Sequence, residues 1–187
     1  MMKRLMTVAL SAVIAVSAFA QTFSETEPNN TRATADNALY GLSAPWARVG
    51  VLSLSANDTD FFKISLNAGD WLTAIIFPTA TNYISPDTVM ALFDVSGTTA
   101  IVWNDDAGSS FGSAIQWQAD ATGDYFLAIT GFHGTTGRNS LSYYEGASHN
   151  ETGSYILTVS VVPEPASLIA LGTGLAGLVA LRRRKRA

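Results

Sequence analysis

Apolar and polar residues alternate in short runs through the middle of the chain, framed by two uninterrupted apolar stretches near the ends. In Phe61–Leu66, Phe62, Ile64 and Leu66 fall on one side and Phe61, Lys63 and Ser65 on the other; Tyr125, Leu127 and Ile129 repeat the pattern. Such period-two alternation marks a strand with one buried and one wet face. Strands are predicted at Arg48–Leu54, Phe61–Leu66, Trp71–Phe77, Thr88–Phe93, Ala100–Trp103, Ala114–Gln118, Tyr125–Ile129 and Ser154–Val161. Turn residues separate them, as in Asn67-Ala68-Gly69-Asp70 and Asp94-Val95-Ser96-Gly97. About eight strands at this spacing predict an all-β fold, an antiparallel β-sandwich of jelly-roll type. The stretch from Gly131 to Gly153, rich in Gly, Ser, Thr and Asn, is expected to be a mobile or binding loop.

The framing stretches read as targeting signals. Lys3 and Arg4, the apolar run Leu5–Val16 and the small residues Ala18 and Ala20 are the three parts of a secretory signal peptide, cleaved before Gln21. At the other end, Val162-Pro163-Glu164-Pro165 precedes the apolar run Ala166–Leu181 and the basic cluster Arg182–Arg186. A helix over 166–181 is about 24 Å long, and flanking arginines that snorkel complete its membrane crossing. Basic residues stay on the cytoplasmic side, so both ends are held there and the middle is sent across. The expected organisation is a signal peptide (1–20), an N-terminal arm (21–45), the sandwich (46–161) and a C-terminal signal with its transmembrane helix and basic tail (162–187).

Charge sharpens this picture. Of the 11 Lys and Arg residues only Arg32, Arg48, Lys63 and Arg138 lie between the two ends, and all 15 Asp and Glu fall there, for a formal charge of −11. So acidic a middle argues against nucleic acid as a partner, because phosphate binding needs clustered Lys and Arg. It suits calcium, or solubility outside the cell. The absence of cysteine rules out a disulfide framework, thiolate zinc sites and a Cys nucleophile.

Two stretches resemble known families. Val-Pro-Glu-Pro, a short Ala/Gly/Leu helix and a terminal Arg cluster, over Val162–Ala187, resemble the PEP-CTERM sorting signal of Gram-negative bacteria. The resemblance implies recognition by exosortase, a membrane-embedded cysteine transpeptidase. It also implies cleavage near Pro-Glu-Pro and delivery to the outer surface or the exopolysaccharide matrix. Upstream, Glu25-Thr26-Glu27-Pro28-Asn29-Asn30-Thr31, Asn57-Asp58-Thr59-Asp60-Phe61-Phe62-Lys63-Ile64 and Leu66-Asn67-Ala68-Gly69-Asp70 resemble the bacterial pre-peptidase C-terminal (PPC) domain. Trp103-Asn104-Asp105-Asp106, Gly123-Asp124-Tyr125-Phe126 and the final Gly153–Val161 run extend the likeness from Glu25 to Val161. It implies a β-sandwich of the kind appended to secreted peptidases. In collagen-binding relatives the Glu-x-Glu-x-Asn segment and Asp residues before the next strand hold calcium.

That implication nominates Glu25, Glu27, Asn29, Asn30, Asn57, Asp58 and Asp60 as Ca2+ ligands, and their chemistry fits a cation that takes six to eight oxygens. The resemblance, not the spacing, joins the two segments. The alternative is that Asn29 and Asn30 cap a short helix over Arg32–Ala38 while Asp58 and Asp60 merely shape a turn. Asp105 and Asp106 are either a second site or a plain turn. Gly108-Ser109-Ser110-Phe111-Gly112 matches the nucleophile elbow G-x-S-x-G, but a strand rather than a helix is predicted after it. His133 and His149 read as surface loop residues lacking a third zinc ligand. Gly172, Gly174 and Gly177 match G-x-G-x-x-G inside the apolar tail, without the strand and acidic residue a dinucleotide site requires. Tyr143 and Tyr144, in the long loop, are candidates for exposed contact with a ligand. The expected function is that of a non-catalytic envelope or matrix protein. It would contribute to adhesion or to exopolysaccharide and biofilm organisation, with exosortase and then exopolysaccharide or surface proteins as partners. A small secreted hydrolase, or an accessory module tethering another enzyme, are the alternatives.

Overall fold

The computed structural model describes residues 20–164 together with Thr173, Gly174 and Arg182. The predicted signal-peptide run with Ala18, Pro165, and nearly all of the 166–181 helix lie outside these. Among the described residues no helix is long and apolar enough to cross a membrane.

Nine strands form: β1 (Gln21–Phe23), β2 (Trp46–Leu54), β3 (Thr59–Leu66), β4 (Trp71–Pro78), β5 (Thr88–Asp94), β6 (Val102–Asn104), β7 (Ala114–Gln118), β8 (Gly123–Gly131) and β9 (Gly153–Val162). They build a five-stranded sheet, β1-β2-β9-β4-β7, and a four-stranded one, β3-β8-β5-β6. The pairs β2·β9, β3·β8, β4·β7 and β5·β6 are all antiparallel and nested, first with last. That is a long hairpin rolled into two sheets, the jelly roll expected from the alternation. Between the sheets, Phe62, Ile64 and Leu66 of β3 meet Leu72, Ala74 and Ile76 of β4, Leu127 and Ile129 of β8, and Leu157 and Val159 of β9.

The arm is part of the sandwich. β1 adds a parallel strand to β2, a pairing that three residues could not announce by alternation. Its Phe23 packs edge-on against Phe62, with ring centroids 5.7 Å apart. Gly50 makes room for it, since a Cβ there would come within 2.9 Å of the Phe23 ring. The arm then crosses to the free edge of β3. Phe61 N–H donates to the Asn29 carbonyl (3.0 Å), Asp36 N–H to that of Phe61 (2.8 Å) and Lys63 N–H to that of Asp36 (2.9 Å). A covered edge strand cannot template pairing with another chain.

The 131–153 segment differs from expectation. It is packed, with a short helix α1 (Leu141–Glu145) laid on the outer face of the smaller sheet. Leu141, Tyr143 and Tyr144 join Phe61, Val89, Ala91, Phe93, Phe126 and Ala128 in a second apolar cluster. Tyr143 and Tyr144 are therefore buried, at 7% and 1% exposure, and are not contact residues for a ligand. The reason is β5: Val89–Phe93 is apolar at every position, and a strand without alternation is covered on both faces.

The G-x-S-x-G stretch is likewise structural. Ser110 Oγ accepts from Gly112 N–H (3.0 Å) and donates to the Tyr83 carbonyl (3.4 Å), closing a turn. Gly112 is required by close approach: a Cβ there would overlap the Ile76 carbonyl oxygen and lie 2.7 Å from Pro78 Cδ. Gly112→Ala is expected to cost about 1–3 kcal/mol in urea denaturation, and Ser110→Ala no more than about 1 kcal/mol.

Candidate metal centre

Where the arm crosses between the sheets, it brings Glu25 and Glu27 to the start of β3. One carboxylate oxygen from each of Glu25, Glu27 and Asp60 lies within 4.8 Å of the other two. At a calcium–oxygen distance of about 2.4 Å, two ligands of one ion stand no more than about 4.8 Å apart. Asp60 occupies an inward position of β3, in step with Phe62, and is fully buried. Its Oδ2 accepts from the Tyr155 hydroxyl of β9, while its Oδ1 has no protein partner. Glu25 Oε1 accepts from Ser53 N–H (3.1 Å), which leaves the buried Oε2 without one. Glu27 Oε2 accepts from Asn29 N–H (3.0 Å). Asn29 is fully buried with both side-chain polar atoms unpaired, a further amide oxygen to spare in the same segment.

Three acidic oxygens this close repel one another unless a proton or a cation sits among them. Among the described residues none of the three forms an ion pair. Burial pushes Glu25 up to about 7, and the charges of Glu27, Asp58 and Asp36 push the same way against the Ser53 hydrogen bond. Burial raises Asp60 well above the ordinary carboxylate range, with the Glu25 charge adding to it, and raises Glu27. Unpaired buried oxygens cost several times more than exposed ones. The residues present thus fit an oxygen-seeking divalent cation, with Glu25, Glu27 and Asp60 as the carboxylates that would hold it.

The other nominated residues take different places. Asp58 Oδ1 accepts from Asn30 Nδ2 (2.9 Å) and Thr59 N–H (3.0 Å), and its Oδ2 from Ser55 N–H (3.1 Å). Asp58 and Asn30 therefore bind the arm to the β2–β3 turn and are not part of the converging trio. Asn57 is exposed at the rim of a cleft of about 360 Å³, its backbone left-handed at φ 63°, a conformation asparagine tolerates. The 3-10 turn at Arg32–Thr34 is capped by Thr31, so neither Asn29 nor Asn30 acts as a helix cap. Tyr155 was not anticipated. Only its inward position on β9, opposite Asp60, signals it.

A second acidic group joins Asp87, just before β5, to Asp105 and Asp106. Asp105 is ion-paired with Arg138, which neutralises part of this cluster. Asp87 is pushed to about 7, by burial first and then by Asp105 and Asp106. The histidines are not surface residues. His149 is buried, its Nε2 2.8 Å from the Asp58 carbonyl, and half-buried His133 stacks on Tyr143 at 3.7 Å.

Among curated proteins, none matches this chain. Among solved structures it is similar to the periplasmic inhibitor of g-type lysozyme, PliG, of Aeromonas hydrophila: 15% identity, 76% of this chain and 99% of that one, TM-score 0.45. It is also similar to the pre-peptidase C-terminal domain of collagenase from Bacillus anthracis: 14% identity, 76% and 96% coverage, TM-score 0.42. Likeness of shape at this level does not carry activity with it. The tail gives a firmer assignment: residues 161–185 match the PEP-CTERM protein-sorting motif, the signal for exosortase processing and export to the cell surface in Gram-negative bacteria.

Proposed function

We propose that the chain is a non-catalytic envelope or matrix protein, a calcium-stabilised sandwich that exosortase releases from its membrane anchor for adhesion or exopolysaccharide organisation. One observation carries most of this reading. The sorting motif begins where β9 ends, with Val162 paired to Trp71 and Pro163 immediately following. Both apolar clusters are built from residues between Phe23 and Val161. Cleavage at Pro163–Pro165 thus leaves a complete domain, whose charge of −10, or −11 where Glu164 is kept, keeps it soluble outside the cell. The converging carboxylates, with their unpaired buried oxygens, supply the reason to include calcium.

The test replaces Pro163, Glu164 and Pro165 with alanine in the producing bacterium. The variant is expected to accumulate uncleaved in the membrane fraction, and the parent to appear in the extracellular matrix at lower mass. A deletion strain should retain less exopolysaccharide. Unchanged processing of the variant would sink the sorting step, and an unchanged matrix in the deletion strain would sink the role in its organisation.

A further inference from the structure

The two outer faces of the sandwich are built differently. That of the smaller sheet carries Lys63 and Asp124, paired at 2.8 Å, and its apolar part lies under α1 and the loop around it. On the larger sheet every outward side chain of β2, β9, β4 and β7 is uncharged, from Ala47 to Gln118, and none is buried. An apolar stripe crosses its middle. Val51 on β2, Ile156 on β9 and Phe77 on β4 are in register, with Val49 and Ile75 one row along. Val51 is 70% and Phe77 46% exposed. Ser, Thr and Gln surround the stripe, as at Thr73 and Gln116, which hydrogen-bond across strands at 3.2 Å.

We propose that this face is the contact through which two copies of the chain associate. Charge selects the occupant. The released segment carries −10 or −11, so an anionic membrane surface or an acidic polymer is repelled by it. Two copies repel each other least through this face, whose strand side chains are uncharged; Glu164, hydrogen-bonded to Gln118 at 3.4 Å, lies at its β7 edge. The geometry suits a two-fold pairing, because β9 is the central strand of the five and Ile156 of each copy would fall near the axis. Stacked sheets pack face to face about 10 Å apart through side chains of this kind. Strands of this length and spacing present roughly 500 Å² per copy. That makes about 1,000 Å² in total, the size of weak, transient interfaces. The pairing is therefore reversible, and it does not depend on a cation, since no candidate ligand lies on the face.

Sedimentation equilibrium of the segment 21–164 tests this. A dimer is expected at tens of micromolar, tightening as salt rises from about 0.02 to about 0.3 M because the remaining acidic surfaces are screened. Val51→Lys and Phe77→Lys, at exposed positions, should each weaken it at least tenfold with an unchanged circular dichroism spectrum. Ile156→Lys, at the axis, should weaken it most. A parent segment that stays monomeric at about 0.3 M salt, or a dimer that survives both exposed substitutions, overturns the proposal. So does binding of a neutral glycan by a monomer through the same face.

Discussion

Tyr144→Ala is expected to lower the unfolding free energy of the released domain by about 3–5 kcal/mol. Tyr144 is among the largest fully buried side chains, and its ring meets Phe93 edge-on at 5.4 Å. Its hydroxyl donates to the Arg138 carbonyl (3.0 Å), and its own carbonyl accepts from Thr59 Oγ1 (2.8 Å). Truncation opens a cavity over the smaller sheet and releases α1 from it. Such a loss is a large share of the 5–15 kcal/mol typical of a domain. Tyr144→Phe keeps the ring and should cost only about 1 kcal/mol, the worth of one hydrogen bond. Urea denaturation gives the energies, and limited proteolysis should show cleavage of the alanine variant between Gly131 and Gly153. A loss below about 1 kcal/mol for Tyr144→Ala would mean the loop does not cover the sheet.

The second large effect concerns the carboxylate trio. Calcium at about one hundred times its Kd should stabilise the domain by about 2.7 kcal/mol, a rise in Tm of roughly 5–10 °C. Asp60→Asn should abolish that rise. It should also leave the metal-free domain at least as stable at neutral pH, because the amide replaces a carboxyl whose charged form burial and its acidic neighbours disfavour. The pH dependence follows from the same groups. Glu25 is held at about 7 against 4.5 in the unfolded chain, and Asp60 is raised in the same direction. Between those two values the folded state binds more protons than the unfolded one, so metal-free stability falls as pH rises from 4.5 to about 7. Asp87, also near 7, adds to the slope, so Glu25→Gln should flatten it only in part. Calcium takes the place of these protons and should remove most of the trio's share of the fall. A Tm indifferent to both calcium and EDTA between pH 5 and about 8 would count against the site.

How much of this the sequence discloses depends on the range of the interaction. Alternation, together with β-rich runs set between turn residues, located the strands from β2 to β9; β5, apolar at every position, was found by its run and not by alternation. The nested pairing that makes a jelly roll is set by contacts between strands far apart in the chain, β2 with β9 and β3 with β8. β1 escaped because three residues carry no period, and its place is decided by the Phe23 ring fitting over Gly50 against Phe62. The loop was misread for a related reason. Its Gly, Ser, Thr and Asn suggest mobility, and only the unbroken apolar run of β5 reveals that something must cover that face.

The candidate site divides in the same way. Composition and residue types gave an acidic, oxygen-rich arm and β2–β3 turn, but not which oxygens converge. Asp58 and Asp60 are two residues apart and look alike in sequence. The pleat turns one toward the Tyr155 hydroxyl inside the sandwich, and the turn directs the other to backbone N–H groups. By itself, then, the sequence determined the strand pattern, the charge, the absence of cysteine chemistry and the sorting tail, all properties of local order and composition. Tertiary structure alone decided which acids meet, which tyrosines are buried and which sheet face stays bare. Those depend on contacts between residues up to about a hundred positions apart, such as Asp60 and Tyr155 (95), which no local pattern encodes.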